Sequence, residues 1–165
     1  MKILICGPDG SGKTTLANKL SHELCLPVFK GSVEDKNKQR NLETLLFERD
    51  NFICDRCYAL EDEVYSNLKI GTKSIDLTRD ITNRIKENCI IVYLDADINT
   101  LYNRLSVRGD SFIATDRSFL SEIKYEYSKF FDKYEFKPII FNNKETYEIV
   151  RELKEMILNE SISFK

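Results

Sequence analysis

A chain of 165 residues, 42% hydrophobic and 32% charged, holds enough apolar material for one core without disulfide staples. Its 25 basic and 27 acidic residues leave a net charge of −2, which argues against a protein built to coat nucleic acid. No apolar run approaches a membrane span, and the N-terminus enters a strand with no basic leader, so the expectation is a cytoplasmic protein with no membrane partner.

The chain opens on the apolar run Ile3-Leu4-Ile5-Cys6, short enough for a buried parallel strand, and passes directly into Gly7-Pro8-Asp9-Gly10-Ser11-Gly12-Lys13-Thr14. This is G-x-x-x-x-G-K-[ST], and the helical spacing of Leu16, Leu20 and Leu24 behind it supplies the strand–loop–helix setting that the motif requires. Glycines leave room for phosphate oxygens, backbone N–H groups point inward, and the helix contributes its positive end. The stretch Gly7, Asp9, Gly10, Ser11, Gly12, Lys13, Thr14 and Thr15 therefore reads as a nucleotide phosphate cradle. In it Lys13 would reach the β- and γ-phosphates and the Thr14 hydroxyl would help hold Mg²⁺.

The first helix is predicted to run to about Cys25, and Pro27 breaks the chain before a short strand, Val28-Phe29-Lys30, ended by Gly31-Ser32. The charged run Glu34–Arg40 then opens a helix carrying Leu42, Leu45, Leu46 and Phe47. Such a run is commonly a solvated surface, but it follows a strand end, where open parallel sheets gather their ligands. Asn51–Asp55 reads as the third strand. A helix with Tyr58, Leu60, Val64, Tyr65 and Leu68 follows, closed by Gly71, and then a second helix with Ile75, Leu77, Ile81 and Ile85, stopped by Asn88. Cys89–Asp95 is nearly continuous in apolar character, as fully buried parallel strands are. Beyond it come a helix from Ile98 to about Val107, a helix holding Phe119, Ile123, Tyr127, Phe130 and Phe131, a strand at Pro138–Phe141, and an amphipathic helix from Glu145 to Leu158. Strands alternating with helices predict one α/β domain over residues 1–165, a parallel sheet wound on both sides.

Several side chains stand where chemistry would need them. Asp55 ends an apolar strand, suited to holding Mg²⁺ beside the loop or to capping the next helix. Arg56 can fork onto a phosphate or an acceptor group. Arg104 and Arg108 lie one helical turn apart, and two like charges on one face read as awaiting an anion, with Arg117 a third candidate. Tyr58, Tyr65 and Phe29 could stack on a base, although core packing uses aromatics more often. The five cysteines are an odd number; Cys6, Cys54 and Cys89 sit in apolar runs, and Cys54-Asp55-Arg56-Cys57 reads as chance spacing at a strand end. The single histidine, His22, is expected on the solvated side of the first helix.

Together these residues resemble the P-loop nucleoside and nucleotide kinases, and among them the thymidylate kinase-like group. The resemblance rests on Gly7–Thr15, on Cys54-Asp55-Arg56 with Tyr58 and Val64-Tyr65, on Val92-Tyr93-Leu94-Asp95, and on Arg104 and Arg108-Gly109-Asp110. It implies a three-layer α/β/α sandwich with strand order 2-3-1-4-5, ATP as phosphoryl donor, Mg²⁺, an arginine-bearing lid over about 104–118, and an Asp55–Arg56 pair contacting metal and acceptor. Members of this group often form homodimers. Two departures stand on the acceptor side: Lys30-Gly31-Ser32-Val33-Glu34 replaces the Arg-Glu-Pro-Gly-Gly type of segment, and Cys57 intervenes before Tyr58.

Two acceptor chemistries remain open. A nucleoside monophosphate brings an oxygen already anionic and needs cations, here Lys30 and Arg56, with Glu34 and Tyr65 also placed on the acceptor side. A nucleoside brings a neutral hydroxyl and needs a carboxylate base, for which Glu34 or Asp35 would serve. Lys30 at the strand end favours the monophosphate, dTMP-like. A GTPase switch would want Asn-Lys-x-Asp, whereas Asn143-Lys144-Glu145-Thr146 lacks the acid, and no basic stripe supports a kinase of polynucleotide ends.

Overall fold

The computed structural model describes residues 1–31, 36–70, 73–109 and 116–159, and the side chain of Tyr58 also falls outside that description. Glu34, Asp35, Gly71 and residues 110–115 of the expected lid lie outside the described residues. Five strands, β1 (Lys2–Cys6), β2 (Val28–Lys30), β3 (Phe52–Asp55), β4 (Cys89–Asp95) and β5 (Ile139–Asn142), form one sheet of order β2-β3-β1-β4-β5. Every neighbouring pair is parallel. This is the expected order.

Period-two alternation divides the sheet between two cores. Leu4, Cys6, Phe52, Cys54, Ile91 and Tyr93 face a larger cluster built with α2 (Lys38–Glu43), α3 (Tyr58–Asn67), α4 (Arg79–Asn88), α5 (Ile98–Arg108) and α6 (Arg117–Tyr134). Ile3, Ile5, Ile53, Ile90, Val92 and Leu94 face α1 (Lys13–Leu24) and α7 (Thr146–Leu158). β1 and β3 are buried at every position, which is why both read as unbroken apolar runs.

The helix expected from Ile75 begins later. Thr78 caps α4, its side chain accepting from the N–H of Ile81, and Asp80 sits in the first turn where the helix dipole favours it. Ile75 and Leu77 therefore pack from the extended stretch before the helix. The helix after the charge run also departs from expectation, since α2 passes into a π-helical turn at Thr44–Glu48. The Leu46 carbonyl in that turn accepts from the buried Lys2 ammonium at 2.6 Å. Among the described residues no helix is long and apolar enough to cross a membrane.

β1 leads toward the β2 side of the sheet and β3 crosses to the β4 side, so the connections part between adjacent strands. Open α/β sheets bind ligands in that crevice, beyond the carboxyl ends of the strands. The loop after β1 and the turn after β3 are what stand there.

Candidate active site

The glycine loop takes a shape that side chains would block. Gly7 has φ +145°, and a Cβ there would come within 2.5 Å of the Leu94 carbonyl oxygen on β4. Gly12, the residue before α1, has φ +98° and no side chain caps the helix, so the first-turn N–H groups face the loop. Ser11 places a buried hydroxyl in the loop with no hydrogen-bond partner among the described residues.

Lys13 is only 4% exposed. Its ammonium turns back into the loop, donating to the Gly7 carbonyl and, at 3.0 Å, to that of Pro8. Two carboxylates stand near it, Glu61 at 3.6 Å and Asp9 at 3.8 Å. The Thr14 hydroxyl donates at 2.7 Å to Asp55, which is 1% exposed at the end of β3, and the second carboxylate oxygen of Asp55 has no hydrogen-bond partner among the described residues. Among the described residues no group of His, Cys, Asp or Glu is large enough to form an all-protein metal cage. Thr14 with Asp55 is instead a sparse oxygen pair of the sort that holds Mg²⁺ together with phosphates and water.

Arg56 follows at once with φ +62°, an uncommon backbone state for a side-chain-bearing residue. That turn swings its guanidinium to Asp9 of the loop at 3.0 Å and leaves its Nε buried, without a hydrogen-bond partner among the described residues. The other Asp9 oxygen accepts from the Tyr65 hydroxyl at 3.1 Å. The loop and the first turns of α3 thus share one polar cluster, Lys13, Asp9, Arg56, Tyr65 and Glu61. Burial pushes the Glu61 carboxyl up to about 7, with the neighbouring Asp9 adding to the rise and Lys13 opposing it. Burial likewise holds the Tyr65 phenol well above its ordinary range.

Of the other residues singled out in the sequence, Arg104 reaches the Gly10 carbonyl at 3.2 Å, while Arg108 stands exposed one turn further along α5. Thr15 is exposed on α1. Lys30 is exposed at the end of β2, where it is the register partner of Asp55, and among the described residues it joins none of the ion pairs of the cluster. Arg117 lies over the Tyr102 ring at 4.6 Å. Phe29 packs edge-on against Phe52. The Cys54 and Cys57 thiols are both buried, and the hydrogen bond with Cys57, together with burial, raises the Cys54 thiol well above its ordinary range.

Sequence reasoning missed Glu61 and Tyr127. The signal for Glu61 was its place one turn into the helix that follows Asp55-Arg56, the turn aimed back at the loop. Tyr127 on α6 is fully buried, and its hydroxyl donates to the Gly7 carbonyl at 3.1 Å. Nothing in its neighbourhood along the chain distinguished it from its aromatic neighbours.

Comparison with known proteins bears on the family and the fold. Residues 40–164 match the family model for deoxynucleoside kinase, a stretch that begins after the glycine loop. The SPbeta prophage-derived uncharacterized protein YorR of Bacillus subtilis is 40% identical over 119 residues, covering 67% of this chain and 71% of that one. The crystal structure of YorR from Bacillus subtilis, in complex with phosphorylated GDP, superposes with a TM-score of 0.82 at 29% identity over 98% of both chains. Deoxyguanosine kinase of Bacillus subtilis is 26% identical over 156 residues, covering 76% of this chain and 75% of that one. Thymidylate kinase from Candida albicans, at 16% identity and a TM-score of 0.60 over 97% of this chain and 92% of that one, shares the fold. The chain is a P-loop kinase, and it belongs to the deoxynucleoside kinase family.

Proposed function

We propose that this kinase transfers the γ-phosphate of ATP, with Mg²⁺, to the 5′-hydroxyl of a deoxynucleoside. The observation that carries the acceptor class is the charge balance of the site. Asp9, Asp55 and Glu61 face the cations Lys13 and Arg56, and Arg56 is already engaged by Asp9 at 3.0 Å. Lys30, the cation that favoured a monophosphate in the sequence, is exposed at the end of β2 and among the described residues makes none of these ion pairs. A neutral hydroxyl enters such a site at lower electrostatic cost than a phosphate dianion. Membership of the deoxynucleoside kinase family and the likeness to deoxyguanosine kinase support the same acceptor class.

In this reading the loop N–H groups and Lys13 position the donor. The Asp55 oxygen that lacks a partner and the Thr14 hydroxyl fit Mg²⁺, which when bound would neutralise charge on the phosphates. Arg56 orients the acceptor, and Arg104, already at the Gly10 carbonyl, leads with Arg108 the cations that close over the transferring group. The hydroxyl passes its proton to a carboxylate base of the site as its oxygen attacks the γ-phosphorus and the bond to ADP breaks. Asp9, Asp55 and Glu61 are the carboxylates that the described residues place at the site; Glu34 and Asp35 lie outside them.

A coupled ADP-release assay with ATP, Mg²⁺ and matched deoxynucleosides and monophosphates tests the proposal. Turnover with nucleosides is expected, and turnover confined to monophosphates overturns it. The monophosphate reading keeps one observation in its favour, the unpartnered buried Nε of Arg56, which could serve an acceptor phosphate.

A further inference from the structure

The carbonyl of Gly7 is held twice, by the Lys13 ammonium and by the Tyr127 hydroxyl. The two donors come from different directions and have different freedom. Lys13 ends a flexible stem within the loop's own helix. Tyr127 is fixed: its ring packs against Tyr93 with centroids 5.1 Å apart and against Phe131 at 6.0 Å, inside the larger core. One turn earlier on the same face of α6, Lys124 lies 2.7 Å from Asp95 and donates to the Ala96 carbonyl at 3.1 Å. α6 therefore grips the carboxyl ends of β1 and β4 from one side. A phenylalanine would fill the aromatic packing equally well. The hydroxyl is accounted for by the Gly7 carbonyl, with a second contact to Glu61 at 3.5 Å.

An ammonium has three N–H donors, so a Lys13 that turns toward the phosphates of a nucleotide shares them between those oxygens and the carbonyls of Gly7 and Pro8, and its hold on Gly7 loosens. A buried carbonyl that loses its donor carries a desolvation cost, and that cost would be charged against donor binding. We propose that Tyr127 is a positioning residue for the donor nucleotide: its hydroxyl keeps the Gly7 carbonyl bonded, and the loop in shape, while Lys13 turns to the phosphates. This rests on the glycine loop being the ATP site.

The variant Tyr127→Phe keeps the ring and removes only the hydroxyl. ADP with Mg²⁺, titrated calorimetrically into the whole protein, should bind about fivefold more weakly to the variant. The KM for the deoxynucleoside should be unchanged and the melting temperature close to that of the parent. Phe131→Leu serves as the packing control, expected to lower the melting temperature and leave ADP affinity unmoved. Equal ADP affinity in the parent and Tyr127→Phe overturns the proposal. So does a parallel loss for donor and acceptor, or a variant that does not fold, because either assigns the hydroxyl to the fold in general. If the parent itself binds no ADP, the reading of the loop falls instead, and Lys13→Met would then leave the titration as flat as before.

Discussion

Asp9 of the glycine loop and Arg56 after β3 meet at 3.0 Å, so the two halves of the site are joined by an ion pair across the crevice between β1 and β3. Asp9 is thereby the acid that sets how much positive charge an acceptor meets. Asp9→Asn keeps the shape and an oxygen for Tyr65 while removing one negative charge from the cluster. Ligands carrying a phosphate should bind about tenfold more tightly to this variant, and a neutral deoxynucleoside should bind as before. Calorimetric titration of both ligand types checks it; equal tightening for the two would contradict the charge-balance argument.

The donor half of this site was legible because its chemistry is local. Gly7 to Thr14 are consecutive, β4 is an unbroken apolar run, and Asp55 sits at a strand end. The acceptor half was not, because its partners are set by packing between distant elements. Glu61-Asp62-Glu63 carries no motif, yet each acid faces a different neighbour. Glu61 faces Lys13; Asp62 accepts from Lys38 and from the N–H groups of Ser74 and Ile75; Glu63 accepts from Lys73, Lys133 and Tyr134. Successive helical residues point about 100° apart, and only the assembled fold shows that every direction is occupied.

Glu61 and Glu63 should give the protein opposite pH slopes in separate windows. Burial raises the Glu61 carboxyl from its ordinary 4.5 to about 7, so the folded chain binds this proton more tightly than the unfolded chain. The resulting stabilisation is complete below 4.5 and is lost as pH rises toward and past 7, amounting to roughly 3 kcal/mol at most. Burial pushes Glu63 upward too, but donation from Lys133, Tyr134 and Lys73 outweighs it and holds its carboxyl below the ordinary 4.5. Its contribution is present above that value and lost as pH falls. Urea unfolding from pH 3 to 8 should therefore show Glu61→Gln flattening the neutral side and Glu63→Gln the acid side. A neutral-side slope that survives in Glu61→Gln would refute the assignment.

The loop glycines should differ in what replacement costs. Gly12→Ala meets no atom within 4 Å and suffers only from φ +98°, which costs about 1–2 kcal/mol. Gly7→Ala has φ +145° and also drives a methyl against the Leu94 carbonyl at 2.5 Å, a backbone atom in the middle of the sheet that has no room to yield. Its loss should exceed about 3 kcal/mol, because strain and overpacking act at one position. Thermal melts rank the two variants, and an equal shift would mean that the loop relaxes away from β4.

Asp55→Asn should separate function from stability. The carboxylate is 1% exposed, one oxygen takes the Thr14 hydroxyl at 2.7 Å, and the other has no hydrogen-bond partner. For folding alone, an asparagine is the easier residue to bury: it keeps an oxygen for Thr14 and brings no charge out of water. Such a charge is understandable if its vacant oxygen serves Mg²⁺ during the reaction, in line with the common cost of active-site design to the native state. The melting temperature of Asp55→Asn should therefore equal or exceed that of the parent, while the Mg²⁺ concentration needed for half-maximal turnover rises about 10- to 100-fold. A magnesium titration of ADP release beside a thermal melt reads both quantities on one preparation. Loss of stability with an unchanged Mg²⁺ requirement would make Asp55 a structural cap for the turn at Arg56, and the metal would then have to be held elsewhere.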